Sequence, residues 1–197
     1  VGGNVSGSDT VCAGTNNGSL ILNGFTGNIL YWEFSNDGGV TWTWVSNTTA
    51  IQSYTNLTIT KMYRAVVQSG SCSTTNSTGA MILVNPATVA GSVLGSTSVC
   101  DSATIGMLTL SGYTGNILRW ETSTDGGTTW TTIANTANTY TYSGITTATM
   151  YRAVVQNGIC SSAIASPATI SLAAPAQAAF TSVINGATVA FTNTSTS

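Results

Sequence analysis

The chain has no histidine, and only four basic and six acidic residues among 197. Without histidine the commonest general base and the commonest metal ligand are missing. Ser-His-Asp and Cys-His arrangements are therefore ruled out. Four basic residues provide no cationic footprint for nucleic acid. No apolar run reaches the roughly 18 residues of a membrane-spanning helix, so no membrane insertion by this segment is expected. The opening VGGNVSGSDT has neither the basic nor the apolar region of a signal peptide. The carboxylates Asp9, Glu33, Asp37, Asp101, Glu121 and Asp125 are scattered, with no dense cluster for calcium. The cysteines lack CxxC spacing. No catalytic residue, no metal site and no cofactor is expected.

What the chain has in quantity is strand and turn material. Hydrophobic residues make up 42%, with Thr, Val, Ile, Tyr and Trp suited to strands and Gly, Asn and Ser to turns. No window carries a helical apolar period free of β-branched residues and glycine. The composition indicates an all-β protein.

An internal repeat organises the rest. Cys12 recurs as Cys100 and Cys72 as Cys160, both at an offset of 88. TGNILYWEFSNDGGVTWT (26–43) returns as TGNILRWETSTDGGTTWT (114–131), and MYRAVVQ occurs at 62–68 and again at 150–156. The expected domains are repeat 1 over residues 1–87, repeat 2 over 88–175, and the start of a third module over 176–197. Each repeat reads as about seven short strands separated by Gly, Asn or Asp turns. In repeat 1 they fall near 5–8 (A), 19–25 (B), 29–35 (C), 41–46 (C′), 51–58 (E), 62–68 (F) and 80–85 (G). Period-2 alternation turns Trp32 inward between outward Tyr31 and Glu33, and turns Tyr63, Ala65 and Val67 inward with Arg64 outward. Glu33 with Arg64, and Glu121 with Arg152, are expected to pair across neighbouring strands.

Trp32 and Trp120 on strand C, and Tyr63 and Tyr151 on strand F, resemble the buried Trp and the Tyr of immunoglobulin domains. The second core Cys of that family is Ala65 or Ala153 here, so its B–F disulfide is absent. The resemblance implies tandem immunoglobulin-like β-sandwiches, expected to lie end to end as a semi-rigid rod. The even number of cysteines, placed alike in both repeats, predicts Cys12–Cys72 and Cys100–Cys160 bridges, and bridges imply an oxidising compartment.

Ser35-Asn36-Asp37-Gly38-Gly39-Val40-Thr41-Trp42, with its counterpart 123–130, is similar to the Asp-box of sialidases. A propeller would need one such unit per blade of about 40 to 50 residues; at a spacing of 88 both copies read as rigid C–C′ hairpins. Tyr31, Trp42 and Trp44 form a candidate ligand-facing aromatic strip, able to stack on sugar rings or meet a partner protein, with packing on their own hairpin as the plainer reading. Residues 180–191, F-x-S-x-x-x-G-A-x-V-A-F, resemble the first strands of a PKD domain, which makes the chain a window on a longer array.

Ser-x-Asp-Gly-Gly-x-Thr-Trp, M-Y-R-A-V-V-Q-x-G-x-Cys and the PKD-like start together resemble the large repetitive surface proteins of Bacteroidota, such as SprB-type gliding adhesins and other type IX-secreted proteins. The resemblance implies an extracellular, cell-surface address and a structural or adhesive role. Surface glycans, other extracellular proteins and neighbouring repeats of the same chain are the expected partners. It assigns no ligand-binding residue. Asp9-Thr10-Val11 and Asp101-Ser102-Ala103 resemble the D-[S/T]-apolar acceptor of O-glycosylation in Bacteroidota, making Thr10 and Ser102 candidates; turn formation is the plainer reading. A spacer or carbohydrate-binding region of a secreted hydrolase, and a subunit of a surface filament, are the alternative functions.

Overall fold

Period-2 burial runs through strands such as 17–23, 80–85, 106–111 and 168–172, and it is what closes the sheets into sandwiches. The computed structural model describes residues 1–100, 104–173 and 177–195. Among these residues there is no helix, and hence none long and apolar enough to cross a membrane. Repeat 1 contains β1 (Asn4–Ser6), β2 (Asp9–Cys12), β3 (Asn17–Asn23), β4 (Asn28–Ser35), β5 (Thr43–Val45), β6 (Ile51–Thr55), β7 (Lys61–Gln68), β8 (Thr75–Asn76) and β9 (Ala80–Asn85). One sheet has the order β1-β3-β6 and the other β2-β9-β7-β4-β5, with β8 added to β7.

The core of repeat 1 lies between these sheets. Leu20 and Leu22 of β3 face Trp32 of β4, Tyr63, Ala65 and Val67 of β7, and Ile82 of β9. Trp32 is fully buried, and its indole N–H donates to the Thr49 carbonyl at 2.9 Å, so the ring enters the core with its one polar atom satisfied. Gly18 is required by close packing: a Cβ there would lie 2.3 Å from the Tyr54 hydroxyl.

Repeat 2 contains β10 (Ser92–Leu94), β11 (Thr97–Val99), β12 (Gly106–Ser111), β13 (Asn116–Ser123), β14 (Thr131–Ile133), β15 (Thr139–Tyr142), β16 (Thr149–Gln156), β17 (Ala163–Ile164) and β18 (Ala168–Leu172). Its sheets are β10-β12-β15 and β11-β18-β16-β13-β14, with β17 on β16. Trp120 is again fully buried and donates to the Ala137 carbonyl at 2.9 Å. The fold is all-β, built of two immunoglobulin-like sandwiches. Two compact units partition the chain: Val1–Ala90 with Tyr113–Asn116 and Val155–Ala163, and Gly91–Gly112 with Ile117–Val154 and Ile164–Ser197. The tail forms one antiparallel hairpin, β19 (Phe180–Asn185) and β20 (Thr188–Asn193), turning at Gly186-Ala187. All its strand residues are exposed, as befits a two-stranded piece with no sheet to pack on.

Two expectations need correction. Strand A, expected as one run near 5–8, is two strands. The chain leaves β3 after Ser6, turns through Gly7 at φ +104°, and continues as β2, which joins the other sheet parallel to β9. The second correction follows from the first. Cys12 is bonded to Cys160, at a Cα–Cα distance of 5.0 Å and a sequence separation of 148, while Cys72 and Cys100 are free and exposed. The expected Cys12–Cys72 and Cys100–Cys160 bridges are therefore not the ones formed. Registry explains why. Cys12 stands opposite Asn85, three residues past Ile82, whose partner on β7 is Lys61. Cys72 follows the far end of β7, beyond Gln68. About ten strand rows at roughly 3.3 Å each separate the two, near 30 Å, whereas a disulfide needs Cα atoms within about 7 Å. Repeat 2 has the same registry, with Val99 opposite Leu172, and Ile170 opposite Thr149 at the start of β16.

Candidate functional site

The segment 155–163 belongs to the first compact unit, and there it packs around the bridge. Asn157 donates its backbone N–H to Thr88 Oγ1 at 3.0 Å and its side-chain amide to the Pro86 carbonyl at 2.8 Å. Gly158 has φ +53°, and a Cβ on it would fall 1.7 Å from Asn85 Nδ2. Cys160 is buried. In repeat 1 the corresponding turn carries Gly70, also at positive φ, with nothing within 4 Å of where a Cβ would stand. The same turn is thus filled in one repeat and open in the other.

The second candidate lies on the outer face of β4, β5 and β7. Glu33 on β4 is in register with Trp44 on β5 and Arg64 on β7, so all three project from one face. Arg64 Nε donates to Glu33 Oε2 at 2.7 Å, which forms the expected cross-strand ion pair. The Arg64 guanidinium also lies 3.9 Å over the Trp42 ring, a stacked cation–π contact. Trp42 is anchored by donating its indole N–H to the Gly39 carbonyl at 2.9 Å. Tyr31, Glu33, Trp42 and Trp44 line a concavity of about 530 Å³. Trp44 is 65% exposed, while Tyr31 and Trp42 are half-buried. The expected aromatic strip is brought together, and Glu33, expected from sequence only as the ion-pair partner of Arg64, joins it.

The hairpin that supports this face is built by one carboxylate. Asp37 accepts hydrogen bonds from the Ser35 hydroxyl at 2.6 Å, the Thr41 hydroxyl, and the Val40 and Thr41 amides at 2.9 to 3.1 Å. The Ser35 hydroxyl, then Thr41, hold its carboxyl well below the usual carboxylate range. Asp125 repeats the arrangement in repeat 2 and is held down at about 2, first by the Thr129 hydroxyl. Both oxygens of each carboxylate accept bonds from within its own loop, which makes the Asp-box a structural turn.

Repeat 2 keeps Glu121, Trp130 and Arg152 on the equivalent face but has Arg119 where repeat 1 has Tyr31, and Thr132 where it has Trp44. Arg152 Nε donates to Glu121 Oε2 at 2.7 Å and stacks 3.8 Å over Trp130. Arg119 Nη2 donates to Glu121 Oε1 at 2.8 Å. Glu121 is buried. Burial pushes its carboxyl up, but hydrogen bonds from Arg152 and Arg119 outweigh it and leave the carboxyl lowered overall.

Thr10 lies within β2, half-buried, its amide bonded to Asp9 Oδ1 at 2.7 Å. It lines a shallow cavity of about 500 Å³ with Ser8, Asp9, Met81, Leu83 and Ile159. Ser102 lies outside the described residues. Among the described residues, no three His, Cys, Asp or Glu side chains gather closely enough to hold a metal ion.

A family model described as "Domain of unknown function (DUF8696)" matches residues 1–86 and again 89–174. No curated protein matches the chain. Among solved structures, a marsupial T cell receptor is similar at a TM-score of 0.50 and 13% identity, over 95% of this chain and 79% of that one. Fibronectin(III)-like modules of Clostridium thermocellum CbhA reach 0.35 at 15% identity, over 87% and 94% of the two chains. The N-terminal four Ig domains of Dscam1 isoform 1.9 reach 0.46 at 15% identity, over 84% of this chain and 43% of that one. The chain thus spans less than half the length of that Dscam1 fragment. At these identities the likeness concerns the fold alone.

Proposed function

The chain belongs to the DUF8696 family through both of its repeats, and from that premise we propose that it is a structural and adhesive repeat region of an extracellular surface protein, of the kind found in repetitive Bacteroidota adhesins. The observation that carries this reading is the Cys12–Cys160 bridge. It joins the first cysteine of one repeat to the second cysteine of the following repeat. Cys72 and Cys100 are the two cysteines this rule leaves over, and both are exposed thiols. The open turn at Gly70 is the one that, at Gly158, is filled by Asn85. A repeat that bonds its successor in this way suits an array under shear in an oxidising compartment. The resemblance of residues 180–191 to a PKD start is part of this proposal; Phe180, Ile184, Val189 and Phe191 share one exposed face of that hairpin.

The test is oxidation of the concentrated chain in a glutathione redox buffer, followed by peptide mapping without reduction. Each bridge forms as two thiols pass two electrons and two protons to oxidised glutathione, which leaves as two thiols. The expected products are the internal Cys12–Cys160 bridge and Cys72–Cys100 bridges between copies, giving a ladder on non-reducing gels. Monomers whose Cys72 and Cys100 form only glutathione adducts would overturn the array reading. The pocket of Tyr31, Trp42 and Trp44 favours a second reading, a carbohydrate-binding spacer of a secreted hydrolase. A catalytic domain in the full-length protein would decide for it.

A further inference from the structure

We propose that the pocket on the outer face of repeat 1 is a binding site for the guanidinium of an arginine side chain carried by a partner polypeptide. The two repeats supply the argument, because each holds the same carboxylate in the same place. In repeat 2 both carboxylate oxygens are engaged: Glu121 Oε2 by Arg152 and Oε1 by Arg119. In repeat 1 the Glu33 carboxylate is engaged through Oε2 by Arg64, and Arg64 is its one ion-pair partner among the described residues. The residue that would supply the second guanidinium is Tyr31, at the position of Arg119. The space so left is the concavity lined by Tyr31, Glu33, Trp42 and Trp44.

The chemistry of that space selects its occupant. A planar cation gains from stacking on an aromatic face and from a carboxylate at its edge, and guanidinium offers both a face and a fork of donors. Repeat 1 already binds one guanidinium this way, with Arg64 lying over Trp42 and bonded to Glu33. Trp44, in register with Glu33 and 65% exposed, together with Tyr31, offers an aromatic surface for a second. Thr132 stands at the Trp44 position in repeat 2, where the cation is internal and no such wall is needed. A neutral sugar would use the indole faces but would bring no charged fork of donors to the second Glu33 oxygen, which in repeat 2 is answered by a guanidinium. The proposal deepens the adhesive part of the function given above and rests on that reading only for where the partner is met.

The experiment uses the whole chain, oxidised, and follows the indole N–H signals of its five tryptophans by NMR. Nα-acetyl-arginine amide is titrated in, with Nα-acetyl-lysine amide and cellohexaose as the other arms. The arginine probe is expected to shift Trp42 and Trp44 saturably and leave Trp130 unmoved, with the lysine probe about tenfold weaker. The Y31R/W44T variant copies the face of repeat 2, keeps the fold, and is expected to lose the response. The reciprocal R119Y/T132W variant is expected to gain one at Trp130. Three results would overturn the proposal: no saturable response to the arginine probe, an undiminished response in Y31R/W44T, or a response to cellohexaose alone, which would make the pocket a glycan site. Loss of the disulfide ladder with arginine binding intact would count against the array alone.

Discussion

Reducing the Cys12–Cys160 bridge is expected to lengthen the fully stretched chain about fourfold. Pulling on the two termini of the oxidised chain loads the bridge directly, because Cys12 and Cys160 are held at 5.0 Å between Cα atoms while 148 residues of sequence separation lie between them. At roughly 3.5 Å per residue, that separation hides about 500 Å of contour length. The oxidised chain therefore stops near 170 Å, and the reduced chain continues to about 690 Å. Bridges within each repeat, each closing 60 residues, would hide about 420 Å and would disappear in two steps on reduction. Single-molecule force spectroscopy with handles at residues 1 and 197 reads the difference directly. Cys12→Ser should release the whole length without reductant, while Cys72→Ser should release nothing. Equal final lengths in oxidised and reduced chains, or a long extension in oxidised Cys72→Ser, would refute the pairing and the shielding argument built on it.

Alkylation of the oxidised monomer should label Cys72 and Cys100 and spare Cys12 and Cys160, as read by mass spectrometry of the peptides. Chemical unfolding should show Cys12→Ser to be destabilised by up to about 5 kcal/mol, the chain-entropy value for a loop of this size. Gly18→Ala and Gly106→Ala place a Cβ 2.3 and 2.2 Å from the hydroxyls of Tyr54 and Tyr142; each is expected to lower stability by roughly 1 to 3 kcal/mol through overpacking. The depressed carboxyls of Asp37 and Asp125 contribute stability that is fully present above the unfolded value of 3.8 and is lost only as pH falls through the folded values, about 2 for Asp125 and lower for Asp37. The amides of Thr41 and Thr129 should accordingly stay protected from exchange at pH 3 and open below it, and Asp37→Asn should expose Thr41 at every pH.

Much of this was legible because the signals were local. Alternation alone placed Trp32, Tyr63 and Arg64 on their correct faces, and the Ser-x-Asp-Gly-Gly-x-Thr-Trp pattern named its own hydrogen-bond network. The offset of 88 made each assignment twice. The bridge was not legible in the same way. Its geometry depends on β2 running parallel to β9, and strand propensity does not tell a segment which neighbour to pair with. Gly7 was the available sign, since a glycine inside a short strand pattern marks a place where the chain bends out of its ladder. The Arg119–Glu121 pair was readable in principle, because residues i and i+2 of a strand share a face.

The repeats differ where a scaffold has freedom to differ. Several positions that shape the sandwich have the same residue in both copies: Gly18 and Gly106, Trp32 and Trp120, Tyr63 and Tyr151, Asp37 and Asp125. Each carries a backbone or packing demand that no other residue type meets as well. The outer-face ion pair with its stacked tryptophan is kept too, as Glu33, Arg64 and Trp42 and as Glu121, Arg152 and Trp130. The side chains of these pairs keep only 24 and 15%, and 21 and 7%, of their surface exposed, so the cost of taking the charges out of water offsets much of their attraction, and the net value to the fold is small beside the core. What it does in both copies is fix a carboxylate in the middle of an aromatic face. On that fixed point, two substitutions decide whether the second oxygen is answered from within, by Arg119, or left with Tyr31 and Trp44 around it. A stalk needs only the first arrangement, and an adhesin gains from the second.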